Sequence, residues 1–467
     1  MTFWQLERHP SSAVALIDTG NSVDYQTLAA RADALAASVP GSGRTFGFLA
    51  LTSSLEAVAL YLGALRSRRH APLLMQPDID PGLLATLAGH YRPDWIALPS
   101  GTAAPDGYAP HATYDGLVLH TTAETVAPSP HPELALLLST SGSTGSSKLV
   151  RLSYQGLAAN AASIVEYLGL RGGDRAITTL PLAYSFGMSI LNSHLEAGAS
   201  VVLTDESPVG RPFWEIARRQ QVTSLSGVPA TFEMLRRMDL GRFQLDRLRM
   251  LTQAGGRLRE ALVAHFLDVS EHLGLEFVVM YGQTEAGPRI SYVPPARLRA
   301  KPGSIGIAVP GGELDLDPAT GELVFRGPNV MLGYATRRED LEKDDECGGV
   351  LRTGDLARRD ADGYFYITGR LKRFVKISGN RVNLDEVEVM LAMELGQAVA
   401  CSGGDDDLVA FVTGEPAVDE GRVRQLIQQR YRLFPGHVRL KTLPALPLLP
   451  TGKTDYQALM ALCGASR

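Results

Sequence analysis

The middle of the chain alternates between short apolar runs and longer segments with helical periodicity. The apolar runs have the length of buried strands and lie at 134–139, 176–180, 199–203, 222–226, 248–252 and 275–280. Apolar positions at a helical spacing fill most of the intervals, at 155–168, 211–220, 229–238 and 258–273. Strands that alternate with helices predict a mostly parallel sheet with helices on its faces, and the ligands of such sheets bind where the strands end.

The chain has other patterns on either side of this region. In roughly the first 130 residues, helical periodicity is mixed with a short apolar run, at 25–38, 53–66 and 46–51. After about residue 310 the strands are short and bounded by Gly, Pro and Asp, at 322–326, 350–356 and 364–368. These later strands predict a small, barrel-like all-β unit that closes a large domain.

The last hundred or so residues predict a compact α+β domain of their own. One helix has its apolar positions on a single stripe, at Leu384, Val387, Leu391 and Leu395. Further strands and helices are predicted at 373–378, 397–401, 408–413, 420–431 and 455–462. We therefore predict an α/β protein with a large N-terminal domain of stacked, mostly parallel sheets (1–370) and a small α+β C-terminal domain (371–467).

The composition and charge of the chain exclude several classes of protein. The chain has 467 residues, of which 45% are hydrophobic and 20% charged, as in an ordinary soluble globular protein. Its net charge of −5 argues against nucleic acid or an anionic membrane as a partner. Three widely spaced cysteines are typical of a reducing compartment, and no apolar run is long enough to cross a membrane. Without a signal-peptide pattern at the N-terminus, we expect a cytoplasmic enzyme.

Several common catalytic and cofactor motifs do not occur in the sequence. The one Gly-Lys pair, Gly452–Lys453, has Pro447 where a Walker phosphate loop needs glycine. No G-x-G-x-x-G follows an early strand, and no H-E-x-x-H, paired-cysteine or G-x-S-x-G pattern is found. Dinucleotide-dependent, zinc-dependent and serine-hydrolase chemistry therefore lack support.

The segment Ser139–Lys148, STSGSTGSSK, carries the densest set of polar groups in the chain. It lies between two apolar runs and combines hydroxyl side chains, glycines and one lysine. The backbone N–H groups of a Gly-rich turn can form an anion-binding nest, to which hydroxyls and a lysine add charge-assisted hydrogen bonds. Taken alone, the segment predicts either a phosphate-binding loop or a solvated Ser/Gly hairpin.

A second segment, Met280–Glu285 (MYGQTE), directly follows an apolar run. A Tyr-Gly turn at a strand end can stack a purine on Tyr281, and Glu285 can then hold Mg²⁺ beside phosphates. The alternative is a helix cap near Thr284 or Gln283.

Two later segments place charged side chains in turns. Asp355 follows a glycine at a predicted strand end, a common place for a carboxylate that binds ribose hydroxyls, and Arg370 lies in a second predicted turn. Lys453 lies in the loop LPTGKTDY, ahead of a helix with Asp455 near its cap. Singly, each of these charges is also typical of a solvated surface residue.

In this order and with these intervals, the four segments resemble the adenylate-forming superfamily, which comprises acyl- and aryl-coenzyme A synthetases, adenylation domains of peptide synthetases, and luciferases. Further matching signatures are LPLAYSFGMS (180–189), GELVFRGPNVMLGY (321–334) and GRLKRFVKISGNRVNLDEVE (369–388). The resemblance covers residues from about 134 to 460. It implies that residues 1–370 form an AMP-binding domain and residues 371–467 a mobile C-terminal lid domain. In the reaction it implies, a carboxylate attacks the α-phosphate of Mg-ATP, pyrophosphate leaves, and the small domain then rotates so that a thiol can take the acyl group.

The resemblance implies nucleotide-binding roles for the residues that match these motifs. The β- and γ-phosphates would lie on Thr140, Ser141, Gly142, Ser143, Thr144, Gly145 and Lys148. Tyr281 would lie against adenine with Gly282 beside it, Thr284 would contact the α-phosphate, and Glu285 would bind Mg²⁺. The ribose hydroxyls would bind Asp355, aided by Arg370.

The resemblance also implies residues for the acid and for the second step. Lys453 would bridge the substrate carboxylate and the α-phosphate, because a long-stemmed lysine on a loop can arrive when the lid closes. Lys372 matches the hinge position, and Gly379 matches the glycine beside the thiol tunnel, where a side chain would block pantetheine. The acid pocket would be lined by Tyr184, Ser185, Met188, Ser226, Ala254 and Gly255, next to Gly282.

Some positions depart from the family pattern. Ser185 stands where amino-acid-activating members keep an aspartate, which argues against an α-amino acid because a buried ammonium needs a counter-charge. The phosphate loop lacks the usual proline and glycine around its lysine, and Leu384 replaces a proline. The small, mildly polar pocket residues favour a small aryl, short acyl or hydroxy acid over a long fatty chain.

We therefore predict an AMP-forming acid–thiol ligase that uses ATP and Mg²⁺. The thiol belongs either to coenzyme A or to the phosphopantetheine of an acyl- or peptidyl-carrier protein. Two alternative enzymes are a stand-alone adenylation enzyme that serves an amine acceptor and an amino-acid-activating enzyme. A third alternative is a catalytically silent nucleotide-binding protein. The acid, the pathway and the oligomeric state stay open.

Overall fold

A computed structural model of the protein describes residues 2–18, 21–41, 43–123, 128–139, 148–371, 373–377, 380–404, 406–414, 418–431, 433, 435–449 and 453–464. The strands, in chain order, are β1 (Val14–Asp18), β2 (Asn21–Asp24), β3 (Thr45–Ala50), β4 (His70–Met75), β5 (Trp95–Pro99), β6 (Ala109–Tyr114), β7 (Leu117–Thr121), β8 (Leu134–Ser139), β9 (Leu149–Ser153), β10 (Arg175–Ile177), β11 (Ser200–Leu203), β12 (Ser224–Gly227), β13 (Met250–Gln253), β14 (Glu276–Gly282), β15 (Arg289–Val293), β16 (Ile307–Ala308), β17 (Glu313–Leu316), β18 (Glu322–Arg326), β19 (Gly333–Ala335), β20 (Val350–Arg359), β21 (Phe365–Arg370), β22 (Phe374–Ile377), β23 (Asn380–Asn383), β24 (Val399–Gly404), β25 (Asp407–Thr413) and β26 (Val438–Leu443).

The α-helices are α1 (Tyr25–Ser38), α2 (Leu55–Ser67), α3 (Pro81–Tyr91), α4 (Tyr154–Leu168), α5 (Ser185–Glu196), α6 (Arg211–Arg219), α7 (Pro229–Leu235), α8 (Glu260–Leu273), α9 (Pro295–Leu298), α10 (Leu384–Leu395), α11 (Glu420–Tyr431) and α12 (Tyr456–Gly464). Several begin at a polar residue whose side chain accepts a hydrogen bond from the first turn, as Asp24, Ser54 and Ser153 do for α1, α2 and α4. Asp455 caps α12 in the same way, as its position in the sequence predicted.

The first of two packing units, Met1–Glu313 with Phe325–Leu351, contains two large sheets. The nine-stranded sheet has the order β16-β15-β14-β13-β12-β10-β11-β1-β2, and the eight-stranded sheet has the order β19-β9-β8-β4-β3-β5-β7-β6. Central pairs such as β12–β13 and β3–β4 are parallel, whereas edge pairs such as β1–β2 and β6–β7 are antiparallel. This architecture confirms the predicted α/β class. The nine-stranded sheet is mostly parallel, whereas the eight-stranded sheet has three parallel and four antiparallel pairs.

One apolar cluster joins both sheets of the first unit to its helices. It includes the fully buried Leu16 of the nine-stranded sheet and Leu138 of the eight-stranded sheet, together with residues of α1, α2, α4 and α5. Helix α5 is buried on nearly all its faces, with Phe186, Met188 and Leu191 in the interior. Burial of apolar side chains on this scale supplies the main driving force that holds the unit together.

The second unit comprises Leu314–Val324 and Arg352–Arg467. A four-stranded sheet (β17-β18-β20-β21) is the small β unit expected after residue 310, and the hairpin β22–β23 and the three-stranded sheet β24-β25-β26 follow it. The predicted stripe of α10 is confirmed, because Val387 and Leu391 are fully buried in an apolar cluster with Ile427 of α11. Cys401 of β24 is also fully buried, whereas Cys463 is partly exposed.

The structure also differs in places from the predicted elements. The sequence patterns did not identify helix α5 or strand β26. The packing division lies at 313/314, 324/325 and 351/352, and the predicted hinge boundary between 370 and 371 stays a prediction. Within the described ranges, no helix has both the length and the apolar character needed to cross a membrane.

Candidate active site

In the first unit, the side chain of Tyr334 contacts two of the predicted site residues. Its hydroxyl donates a hydrogen bond to Oε1 of Glu285 at 2.9 Å, and Nζ of Lys148 lies 3.3 Å from the centre of its ring. Burial and the neighbouring Glu285 carboxylate raise the pKa of the Tyr334 phenol, so the hydroxyl stays a donor. The backbone N–H of Met331 donates to the carbonyl of Glu285 at 2.9 Å. The lysine predicted for phosphate and the carboxylate predicted for Mg²⁺ thus share one neighbour.

A short 3-10 turn, Thr284–Ala286, follows β14 and carries the predicted α-phosphate contact. The hydroxyl of Thr284 lies 3.3 Å from that of Ser185 at the start of α5. Tyr281, near the end of β14, accepts a hydrogen bond on its hydroxyl from Nε2 of Gln283 at 3.2 Å. The predicted strand end is therefore present, and it places a hydroxyl, an aromatic ring and a carboxylate in one segment.

Two buried asparagines hold the backbone after this turn. Nδ2 of Asn329 donates to the carbonyl oxygens of Ala286 and Arg289 at 2.6 and 2.8 Å. Asn160, with its amide oriented to satisfy both atoms, donates to the carbonyl of Gly287 at 2.7 Å and accepts from the N–H of Arg289 at 3.1 Å. Both side chains are almost fully buried. They fix the backbone directly after the predicted metal ligand.

Gly282 occupies a position that has no room for a side chain. It pairs with Arg289 across the antiparallel strands β14 and β15. A Cβ atom there would lie 1.8 Å from the carbonyl oxygen of Pro288. The close approach of the two strands explains why glycine stands between the predicted adenine and α-phosphate contacts.

Three of the predicted pocket residues lie close together. Gly255 has a φ of +81°, and a Cβ atom there would lie 2.8 Å from the hydroxyl of Tyr184. Tyr184 precedes α5 and shares an apolar cluster with Ala254, Val228 and Met280. Burial raises the pKa of the Tyr184 phenol, which is therefore a neutral group at physiological pH. Tyr184, Ala254 and Gly255 thus form a small, mostly apolar surface.

The remaining pocket candidates are placed differently. Ser226 is nearly buried in β12, and its hydroxyl lies 2.8 Å from that of Thr252 on the adjacent strand β13. Met188 is fully buried in the cluster that joins the two sheets. Its contacts are those of a hydrophobic core residue.

In the second unit, Asp355 and Arg370 lie directly opposite each other. They are paired across the antiparallel strands β20 and β21, and Nε of Arg370 lies 2.9 Å from Oδ1 of Asp355. The carboxylate is almost fully buried, whereas the arginine is largely exposed. The predictions that Asp355 ends a strand and that Arg370 lies in a turn are wrong. Gly354 has a φ of +72°, but the ladder with β21 continues beyond it.

Lys453 lies in a loop whose two sides are hydrogen-bonded to each other. The N–H of Leu449 donates to the carbonyl of Lys453 at 2.8 Å, and that of Asp455 donates to Pro447 at 2.8 Å. Leu448 and Thr454 form an isolated antiparallel bridge. Lys453 thus lies next to this bridge, shortly before α12 begins.

A polar cluster in the second unit surrounds Arg373, next to the predicted hinge. Its guanidinium lies 2.8 Å from Glu388, also pairs with Asp385, and lies 3.8 Å from the ring centre of Tyr456. The hydroxyl of Tyr456 donates to the second oxygen of Glu388 at 3.0 Å. Burial raises the pKa of Asp385 to about 6, although Arg373 acts in the opposite direction.

Some predicted site residues lie outside the described residues. These are Thr140, Ser141, Gly142, Ser143, Thr144 and Gly145 of the phosphate loop, Lys372 at the hinge and Gly379 beside the thiol tunnel. Their predicted roles stay predictions. In the described part of the chain, no group of three or more His, Cys, Asp or Glu residues forms a metal site.

Sequence reasoning gave no role to Tyr334, Asn160 or Asn329. Tyr334 and Asn329 both lie in the signature GELVFRGPNVMLGY, so their place in a matching motif was a signal that could have singled them out. Asn160 lies in no such motif, and its partners Gly287 and Arg289 are far away in the sequence. No local pattern identifies its contacts.

Comparison with known proteins places this architecture in a defined class. The sequence model of the family described as AMP-binding enzyme matches residues 2–335. Together with the fold, this match defines an enzyme of the adenylate-forming class. The chain belongs to the AMP-binding enzyme family. The resemblance drawn from the motifs is thereby confirmed.

Curated relatives are acid–coenzyme A ligases. An indoleacetate–CoA ligase of Aromatoleum aromaticum is 33% identical over 395 residues, which cover 78% of this chain and 75% of the relative. A 4-coumarate–CoA ligase of Oryza sativa subsp. japonica is 28% identical over 96% of this chain and 92% of its own. These relatives confirm the predicted enzyme class, an AMP-forming acid–thiol ligase.

Solved structures share the fold at low sequence identity. ATP-bound MatB from Rhodopseudomonas palustris superposes with a TM-score of 0.78 at 23% identity, over 100% of this chain and 99% of that one. The amide bond synthetase McbA from Marinactinospora thermotolerans gives 0.74 at 21% identity, over 99% and 100%. At these identities the likeness concerns the fold alone.

Proposed function

We propose that this enzyme activates a small carboxylic acid with ATP, releases pyrophosphate, and transfers the acyl group from the acyl-adenylate to the thiol of coenzyme A. The observation that carries the proposal is the contact of both Lys148 and Glu285 with Tyr334. A cation and an anion at one place suit Mg-ATP, whose phosphates need positive charge and whose metal needs a carboxylate. The aryl-acid ligases among the relatives support the same reaction.

The residues of the first unit fit Mg²⁺ as part of the nucleotide complex. Mg²⁺ is usually bound by one or two carboxylates plus substrate phosphates rather than by a cage of protein ligands. Glu285 supplies one carboxylate, and its hydrogen bond from Tyr334 engages only one of its lone pairs. When bound, Mg²⁺ neutralises phosphate charge. Lys148 adds a second cation for the phosphates, and the hydroxyl of Thr284 is a donor for the α-phosphate.

The residues of the second unit supply the other proposed contacts. The buried carboxylate of Asp355 has oxygens for two ribose hydroxyls and is oriented by Arg370. The ammonium of Lys453, on its hydrogen-bonded loop, would stabilise the negative charge that builds up as the carboxylate attacks. No protein nucleophile is needed, because the substrate carboxylate is itself the nucleophile.

The proposed pocket favours a small aryl or short acyl acid. Tyr184 and Gly255 form a compact, mostly apolar surface, and the hydroxyl of Ser226 is engaged with Thr252. No described residue at these positions offers the counter-charge that an α-ammonium group needs. We favour coenzyme A as the acceptor, with a carrier-protein pantetheine as the alternative. We also propose a cytoplasmic setting, which the free cysteines support.

The test is a pyrophosphate-release assay with Mg-ATP and a panel of small aryl, short acyl and amino acids, with and without coenzyme A. We expect release that requires a particular acid and turns over repeatedly only with coenzyme A. Acid-dependent release that coenzyme A does not accelerate would instead identify a carrier protein or an amine as the acceptor. Absence of release with every acid would contradict the proposed function.

A further inference from the structure

Arg289 is a buried arginine without a carboxylate partner. The residue is only 3% exposed, and the Nε atom of its guanidinium has no hydrogen-bond acceptor. Among the described residues, no aspartate or glutamate forms an ion pair with it. The hydroxyl of Tyr167 is hydrogen-bonded to the guanidinium, and the guanidinium lies 4.2 Å from the ring centre of Phe186.

The position of this guanidinium is fixed by its surroundings. Its backbone pairs with Gly282 in β14 and is held by Asn160 and Asn329. It lies four residues after Glu285 in the sequence, in the segment that forms the nucleotide site. Phe186, which the guanidinium contacts, packs edge-on against Tyr184, and Tyr184 in turn lies against the position of Gly255 in the proposed acid pocket. The guanidinium is therefore a rigid group beside the pocket.

Charge and hydrogen-bonding chemistry indicate which kind of group would pair with Arg289. A guanidinium stays protonated in proteins and presents five donors in a planar fork. A buried charge of this kind is normally paired, because aromatic rings and tyrosine hydroxyls replace only part of its hydration. A carboxylate or sulfonate matches the fork with two parallel hydrogen bonds.

We infer that Arg289 binds a second oxyanion on the acid substrate, so that the preferred substrates carry an acidic group in addition to the carboxylate that is activated. The inference rests on the proposed function and narrows its substrate class. The reacting carboxylate would face Thr284, and the distal oxyanion would pair with Arg289. Tyr167 and Tyr184 would donate or accept at the edges of this pair.

The experiment compares matched acids in the pyrophosphate-release assay. The pairs are benzoic with terephthalic acid and hexanoic with adipic acid, and 4-sulfobenzoic acid distinguishes charge from carboxylate shape. We expect kcat/KM to favour the doubly acidic member of a pair by about 100-fold, a typical effect of one charge-assisted, bidentate contact. Arg289→Met should remove this preference and leave the monoacids within about threefold of wild type.

Two further variants separate recognition from folding. Arg289→Lys keeps the cation without the fork and should retain a weaker preference for the diacids. Arg299→Met, a surface arginine paired with Asp268 and Glu271, should change neither substrate set. A wild-type enzyme that prefers the monoacids, or an Arg289→Met variant that loses both sets equally, would overturn the inference and leave the proposed function standing. Absence of pyrophosphate release with all acids would contradict the proposed function itself.

Discussion

The tyrosine at position 334 shows how a single side chain can organise an electrostatic site. Its ring faces the ammonium of Lys148 and its hydroxyl binds the carboxylate of Glu285. A ring–cation contact and a hydrogen bond to a charged acceptor each contribute on the order of 1 kcal/mol or more. Together they orient the ammonium of Lys148 and the carboxylate of Glu285 on one side chain before a nucleotide binds.

Tyr334→Phe separates these two interactions. The ring contact with Lys148 remains, whereas Glu285 loses its donor and can rotate. We expect kcat for pyrophosphate release to fall by about 10-fold, the loss of one hydrogen bond to a charged group, with little change in the KM of the acid. Steady-state assays at saturating ATP would measure this effect.

Tyr366→Phe is the matched control, because the hydroxyl of Tyr366 also donates to a carboxylate, that of Asp360, at 3.2 Å. It should leave kcat unchanged. Equal losses in both variants would show that the effect at Tyr334 is not specific to the site.

A second residue-scale consequence concerns buried histidine. His194 of α5 is almost fully buried and contacts the carbonyl of Ile190 at 2.8 Å and the hydroxyl of Ser224 at 3.2 Å. Burial lowers its pKa to about 4. In the unfolded chain the same ring takes up a proton near pH 6.5. Protonation therefore favours the unfolded state between pH 6.5 and 4. The contribution of the neutral His194 to the free energy of unfolding is fully present above pH 6.5 and decreases as the pH falls towards 4.

Urea unfolding at pH 7 and pH 4.5 measures this contribution. We expect wild type to lose about 2 kcal/mol more than His194→Gln over this interval, because glutamine takes up no proton in either state. His70, whose pKa burial also lowers to about 4, remains in both proteins and does not affect the comparison. An equal loss in the two proteins would contradict a neutral buried His194.

At the scale of elements, the antiparallel pair β14–β15 positions most of the chemistry of the first unit. Gly282 leaves space for the carbonyl of Pro288, and the turn between the strands carries Thr284 and Glu285. Gly282→Ala should force the strands apart and lower the stability of the protein by about 2–4 kcal/mol. The displaced turn should also reduce pyrophosphate release. Thermal unfolding and activity measured on the same preparation would detect both effects.

Gly89→Ala provides a control for the glycine substitution. Gly89 is exposed in α3, and a Cβ atom there would have no neighbouring atom within 4 Å. Alanine there should be neutral or stabilising by about 0.5–1 kcal/mol, because it restricts the unfolded chain and favours the helix. Similar destabilisation by both substitutions would argue against the steric account at Gly282.

The sequence predicted those elements whose periodicity reflects one buried face. Helices α1, α4 and α10 have such a face and were found close to their observed bounds. Helix α5 is buried nearly all round, so its apolar and small polar residues show no stripe. Strand β26 is mostly half-buried, and its alternation of Val438 and Leu440 with Arg439 and Lys441 spans only four residues, the shortest run that indicates a strand.

The candidate site was predictable as far as its residues belong to local motifs. Glu285, Asp355 and Lys453 each stand in a short segment with a recognisable pattern. Tyr334 lies in such a motif too, but its contacts with Lys148 and Glu285, like the contact of Arg289 with Phe186, form only in the folded chain. A motif can therefore point to a residue without showing which residues it contacts.

At the scale of the whole molecule, the proposed chemistry is divided between the two packing units. Lys148, Thr284 and Glu285 belong to the first unit, whereas Asp355 and Lys453 belong to the second. Adenylation should therefore depend on a residue of the second unit even when the first unit is unchanged. This expectation concerns the adenylation half-reaction and not the thioester-forming one.

Lys453→Ala tests this dependence. We expect acid-dependent pyrophosphate release to fall by at least about 100-fold, because the variant loses the cation that stabilises the attacking carboxylate and the α-phosphate. Thioester formation from chemically prepared acyl-adenylate and coenzyme A should persist. Lys441→Ala, which removes a surface lysine of the same unit, should leave both reactions intact. Unchanged pyrophosphate release in Lys453→Ala would contradict the proposed role.

The burial of Cys401 makes its thiol a probe of local opening in the second unit. Its thiol is fully enclosed beneath α10, and burial raises its pKa well above that of a free cysteine, so the reactive thiolate is doubly suppressed. A maleimide can reach it only when that part of the chain opens, whereas Cys463 is partly exposed. When opening is fast relative to labelling, the ratio of the Cys401 rate to that of a free thiol gives the free energy of opening around Cys401 in the native enzyme.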